Sequence, residues 1–115
     1  VYYPLATGAL SGKYRNGQMP KNSRQALFKG WERHLNPLAM SAYEEYYKLA
    51  KEYDMTMAQL AQAFVNSRPF VTSNIIGATS MDQLRENIGS VNIELSDEIM
   101  EKINVIHNNN PNPSP

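Results

Sequence analysis

Only two stretches of this chain have the composition of β-strands, and long helical segments separate them. Val1-Tyr2-Tyr3 ends one, just before Pro4, which has no backbone donor and closes a strand. Ser73-Asn74-Ile75-Ile76 makes the other and finishes on two β-branched apolar residues. Strands joined by helical crossovers lie parallel and need cover on both faces. Two of them rarely make an independent sheet. The chain also opens on a strand end, without Met. These features predict a piece of a larger α/β domain, mostly helical within its own 115 residues. The alternative is a small helical domain complete in itself.

Composition narrows the partners. Lys+Arg and Asp+Glu are equal at 11, so the formal net charge is zero. That balance predicts no nucleic-acid partner and no anionic membrane partner. With no cysteine, neither a disulfide framework nor a thiolate metal site is available. No apolar run approaches the roughly 18 residues of a membrane span, and no secretory segment opens the chain. A cytoplasmic protein is the resulting expectation. No metal-ligand cluster, internal repeat or Ser/His/Asp or Cys/His arrangement stands out.

Two glycine-bearing stretches carry the chemistry. In the first, Pro4-Leu5-Ala6-Thr7-Gly8-Ala9-Leu10-Ser11-Gly12-Lys13 is a loop of small residues. Such a loop can bring backbone N–H groups against a diphosphate. It lacks the Gly-Lys-Ser/Thr order of a Walker loop, and its bland reading is a surface turn. In the second, Ile75 to Ile88, a strand runs into Gly77 and then a helix. Gly77 lets a backbone pass close by. Ser80 and Gln83 have capping-box spacing, which starts a helix near Met81. Gln83, Glu86 and Asn87 share a polar face, and Leu84 and Ile88 share the apolar one. A helix N-terminus with its free N–H groups can hold a phosphate. Spacing alone is equally consistent with any strand–turn–helix.

Between these stretches, residues 15–37 read as a locally basic loop, with Asn16-Gly17 as a turn and Pro20 and Pro37 breaking periodicity. A loop this long acts as a flap or is disordered. Phe28 and Trp31 are candidates to pack it down, and His34 reads as a surface residue. Residues 38–53 form an amphipathic helix through Ala42, Tyr46, Leu49, Ala50 and Tyr53, with Glu44 and Lys48 as an i,i+4 pair. Its tyrosines serve packing rather than base stacking. Thr56 to Gln59 is a second capping box, opening a well-buried helix over Met57–Ser67 that Pro69 stops. Ser96-Asp97-Glu98 starts a last helix, with Ile99, Ile103 and Ile106 as its stripe and His107 near its C-terminus. Residues 108–115 form an Asn/Pro-rich flexible tail, frayed or extended.

The string IIGATSMDQLRENI resembles the last strand and helix of the aldo-keto reductase superfamily. YxPLAxGxLxGKY, from Tyr2 to Tyr14, resembles the turn after barrel strand seven in the branch that includes the potassium-channel β subunits. The resemblance covers the whole chain. It implies the C-terminal third of a (β/α)8 TIM barrel, with the remaining strands upstream. It implies NADPH as the cofactor and a small carbonyl compound as the substrate. Tyr2 would stack on the nicotinamide. Leu5 and Gly8 would lie along the diphosphate, Lys13 would lie near the cofactor's phosphates, Pro4 would be among the cofactor-binding residues, and Arg24 would meet the 2′-phosphate. Gly77, Thr79, Gln83, Glu86 and Asn87 would surround the adenosine.

Three departures bear on these roles. Tyr3 stands where the family has a small residue that bonds the diphosphate. Gly77 and Gln83 stand where some branches carry a lysine and an arginine, leaving Arg24 to supply much of the charge. The family's catalytic Asp, Tyr, Lys and His lie on earlier strands; no residue here matches them, and Lys13 is not the catalytic lysine. The implied activity of the whole protein is reduction of aldehydes or ketones by hydride transfer. The alternatives are a non-catalytic NADPH-sensing regulatory subunit and a stand-alone helical interaction module.

Overall fold

The computed structural model describes residues 1–30 and 32–114, so the packing role considered for Trp31 lies outside the described residues. A 3-10 segment over Ala6–Ser11 is followed by a shorter one over Arg15–Gly17 and the single-turn helix α1 (Arg24–Leu27). A 3-10 turn at Glu32–Leu35 leads into α2 (Pro37–Glu52) and α3 (Met57–Asn66). Then come α4 (Met81–Gly89), a 3-10 turn over Ser90–Asn92 and α5 (Asp97–Asn109). The 15–37 segment is therefore not an unstructured loop. Pro37 does not break a helix but begins one, because the first helical N–H has no intrahelical acceptor to lose. Asn36 caps the same helix, its side-chain oxygen accepting from the Ala39 N–H at 3.0 Å.

The capping residues read from the sequence set the helix starts. Thr56 accepts from Gln59 N–H at 3.0 Å, and the Gln59 side chain accepts from Thr56 N–H at 2.8 Å, a complete capping box. Ser96 and Ser80 accept from the N–H groups of Ile99 and Gln83, each at 3.3 Å. The box at Ser80 is not reciprocal. Gln83 instead accepts from the N–H and the hydroxyl of Thr79, at 2.9 and 3.1 Å, and so pins the residue before the cap.

Helices α2, α3 and α5 share one core of Leu49, Ala50, Leu60, Ile99, Ile103 and Ile106, with Tyr46, Tyr53 and Phe64 half-buried against it. A second cluster joins Ala9 and Tyr14 to Ala39, Tyr43 and Met57, so the opening loop is seated on α2 and α3. Glu44 does not take Lys48 as its ion-pair partner. It binds Arg15 through two bonds, at 2.7 and 2.9 Å, and the guanidinium holds its carboxyl below the usual range. Arg15 also stacks on Tyr47, 3.3 Å from the ring centroid. A planar bidentate fork outcompetes a single ammonium one helical turn away.

Neither expected strand forms among the described residues. What remains is one parallel bridge: the Val1 amino group donates to Ser73 C=O, and Ile75 N–H donates to Val1 C=O, both at 2.8 Å. A bridge with no further strand beside it cannot extend into a ladder, and its side chains find no cover. Tyr2 is 71% exposed, Ile75 63% and Phe70 80%.

His34 is buried rather than on the surface, at 8% exposure. Its Nδ1 pairs with the Ser114 hydroxyl, and Asn36 donates to Pro113 C=O at 2.8 Å, so the tail is held against the start of α2. Burial and the neighbouring Arg33 hold the imidazole pKa below its usual 6.5. A depressed folded-state value means the stabilisation is present above pH ~6.5 and is lost as pH falls through the folded value. The melting temperature of the full-length protein measured from pH 8 to pH 5 should therefore fall, and His34→Gln should flatten that part of the profile; an unchanged profile would assign the loss to other groups.

Candidate functional site

The site residues read from the sequence fall into two groups, and α3 packs against the elements that carry both. In the first group the chain is bent sharply. Tyr3, Ala6 and Thr7 all have positive φ, at 59°, 46° and 57°. Such backbone is costly outside glycine and is retained where surrounding structure imposes it. Gly8 follows at φ +99°, and a Cβ there would stand 2.9 Å from Lys13 Cε and 3.0 Å from Nζ. Glycine at this position therefore does two things: it accepts the left-handed turn, and it lets the Lys13 side chain lie across the loop. Lys13 Nζ sits 5.4 Å above the Tyr14 ring. Pro4 and Leu5 are half-buried beside it, and Leu5 C=O accepts from the N–H groups of Gly8 and Leu10, at 2.8 and 3.1 Å.

Arg24 joins this group through its neighbour. Gln25 N–H donates to Tyr14 Oη at 3.2 Å, and the Gln25 side chain donates to Thr7 Oγ1, also at 3.2 Å. Helix α1 is thus fastened to the glycine loop, with Arg24 exposed on its first turn. Thr7 and Gln25 were not anticipated. A glutamine beside an arginine in a basic segment carries no sequence signal for such a clasp.

The second group is built on α4. Gly77 has open space where a Cβ would stand, so the close backbone passage expected there is not made by this chain. Thr79 and Gln83 hold each other as described, both exposed at the start of the helix. Glu86 accepts from the Thr56 hydroxyl at 2.5 Å, which ties α4 to the cap of α3. Asn87 points inward at 5% exposure, while Ile88, expected on the buried face, is 56% exposed. The inward face of α4 is polar because the surface it meets on α3 is polar. Gln62 is 1% exposed there, bonded to Asn87 and Asn74, and Asn66 donates to Ser90 at 3.2 Å. Beyond its capping Gln59, α3 is apolar except at Gln62 and Asn66, and that interruption was the available sequence signal.

Among the described residues no group of three or more His, Asp or Glu side chains is placed to hold a metal ion, and no helix is long and apolar enough to cross a membrane. The two groups offer a glycine loop with a cation across it, an arginine-bearing helical turn fastened to that loop, and a capped helix N-terminus.

The chain is 39% identical over 115 residues to Protein tas of Escherichia coli, covering all of this chain and 33% of that protein. A probable voltage-gated potassium channel subunit beta of Arabidopsis thaliana is 35% identical over 96% of this chain and 35% of its own length. An NADH-specific methylglyoxal reductase of Escherichia coli is 34% identical over 84% of this chain and 29% of its own length. The chain thus spans about a third of the length of these relatives. The family model described as "Aldo/keto reductase family" matches residues 1–108, and the chain belongs to that family.

Proposed function

We propose that this chain is the cofactor-gripping part of a (β/α)8-barrel oxidoreductase that reduces aldehydes or ketones with NADPH. The observation that carries the reading is the clasp of α1 on the glycine loop: Gln25 fastens the Arg24 helix to Thr7 and Tyr14, beside Gly8 and Lys13. Loops after the last strands of such a barrel commonly bind phosphate.

The residues present fit a dinucleotide phosphate. Gly8 lets the Lys13 side chain lie across the loop, where Lys13 supplies a cation to the diphosphate. Arg24 offers a planar fork to a 2′-phosphate dianion. The capped start of α4 adds its N–H groups and dipole to the adenosine end. Tyr2, highly exposed beside the single bridge, offers an aromatic face to the nicotinamide. When bound, NADPH supplies the hydride; the residues of this chain bind and orient it, and proton transfer to the carbonyl oxygen falls to residues outside this chain.

A second reading, a regulatory subunit that binds NADPH without turnover, is favoured by the likeness to the plant channel subunit. One experiment separates the two. The full-length protein is given NADPH and 4-nitrobenzaldehyde, and the absorbance of reduced nicotinamide is followed. Steady loss of the cofactor band supports the reductase. Tight NADPH binding by fluorescence without turnover of this or other small carbonyls supports the sensor. Absence of NADPH binding overturns both.

A further inference from the structure

Gln62 is a large polar side chain closed off entirely from solvent on the face of α3 that meets α4. It is engaged at both ends. Its Oε1 accepts from Asn74 Nδ2 at 2.6 Å, and its Nε2 donates to Asn87 Oδ1 at 3.4 Å. Asn87 Nδ2 then donates to Gly77 C=O at 3.3 Å. Three amides therefore donate in one direction, from residue 74 through α3 and α4 to the turn at Gly77. Asn74 also donates to Asn66 Oδ1 at 3.1 Å, and Ser90 donates to Asn87 C=O at 2.6 Å, so the flanks of the relay are held as well.

An asparagine amide can be turned either way with nearly the same shape, and its neighbours decide which end faces a ligand. Here the donor from Gln62 selects the Oδ1 end of Asn87 for the protein interior. The NH2 end is thereby turned to Gly77 C=O, with one further N–H left to donate. We infer that Gln62 is a positioning residue for the cofactor: it fixes the Asn87 amide so that it presents a donor, and through Asn87 it holds the Gly77 turn at the mouth of α4. This rests on the reading of Asn87 and Gly77 as adenosine contacts. The ligand group selected is an acceptor, such as a purine ring nitrogen, rather than an amino group.

The test is a double-mutant cycle on the full-length protein, with NADPH affinity measured by fluorescence titration. Gln62→Leu should weaken NADPH by about fivefold to tenfold, the scale of one buried hydrogen bond. The loss should be far smaller in the Asn87→Ala background, because Gln62 acts through Asn87. It should add in full to that of Arg24→Ala. A residue with only a structural role would lower the melting temperature without this selective coupling. Where Gln62→Leu does not fold, Gln62→Met keeps the unbranched shape without the amide and carries the same expectation. Losses that add fully with Asn87→Ala, or unchanged NADPH affinity in a folded Gln62 variant, would overturn the positioning role while leaving the cofactor reading intact. Asn87→Ala with undiminished NADPH affinity would remove the adenosine contact itself, and the positioning role with it.

Discussion

Arg24→Ala in the full-length protein should weaken NADPH binding by about tenfold to hundredfold and leave NADH nearly unchanged. The two cofactors differ only by the 2′-phosphate, so the ratio of the two losses isolates that contact. A charge-assisted hydrogen bond is worth roughly 1.5–3 kcal/mol, which sets the range. Gly77 brings no charge and Gln83 only a neutral amide already bonded to Thr79, so in the proposed site the cationic share of the contact would fall on Arg24. The Gln25 clasp matters because it holds the backbone segment that carries Arg24, so less of the loop has to be ordered on binding. Equal losses for NADPH and NADH would sink the assignment and bring the protein closer in behaviour to its NADH-specific relative.

Residues 1–115 expressed alone should show no cooperative thermal transition, whereas the same residues within the full-length protein should unfold as part of one. The reason is the cover missing around the single bridge. Val1, Tyr2, Tyr3, Phe70, Ile75 and Ile76 are all exposed, in the two segments the bridge joins. Burying a large apolar side chain is worth roughly 1.5–3 kcal/mol. Six of them together represent on the order of 10 kcal/mol, comparable to the entire stability of a typical domain. The N–H and C=O groups of residues 74–76 would also form a strand edge open to other chains. A circular dichroism melt decides it: a broad transition, with binding of a hydrophobic dye before heating, is the expected result. A sharp transition with a flat native baseline would establish a helical module in its own right and would remove the barrel as a requirement for folding.

Local chemistry made the helices legible. Thr56 and Gln59, Ser80, Ser96, and the spacing of Leu49, Leu60, Ile99 and Ile103 act over one or two turns, so their reading needs no knowledge of the rest of the molecule. Gly8 and Lys13 were singled out through the family resemblance, and their meeting across one turn is a finding of the structure. The strands were not realised as strands, because a ladder depends on neighbours that segments 1–3 and 73–76 do not supply to each other beyond one bridge. Glu44 went to Arg15, His34 to Ser114 and Asn87 to the interior, in each case because a partner distant in sequence offered a better-formed or better-buried bond than the local one.

By itself, then, the sequence determined where α3, α4 and α5 start, which residues line the apolar stripes of α2 and α5, and the two motifs that mark the family, since all of these are written in spacings of a few residues. Only the tertiary structure decided that the Arg24 helix is fastened to the glycine loop and that α4 meets α3 through amides rather than aliphatic side chains. Both are bonds between segments far apart in the chain, and a donor carries no mark in the sequence of which distant acceptor will be folded within 3 Å of it.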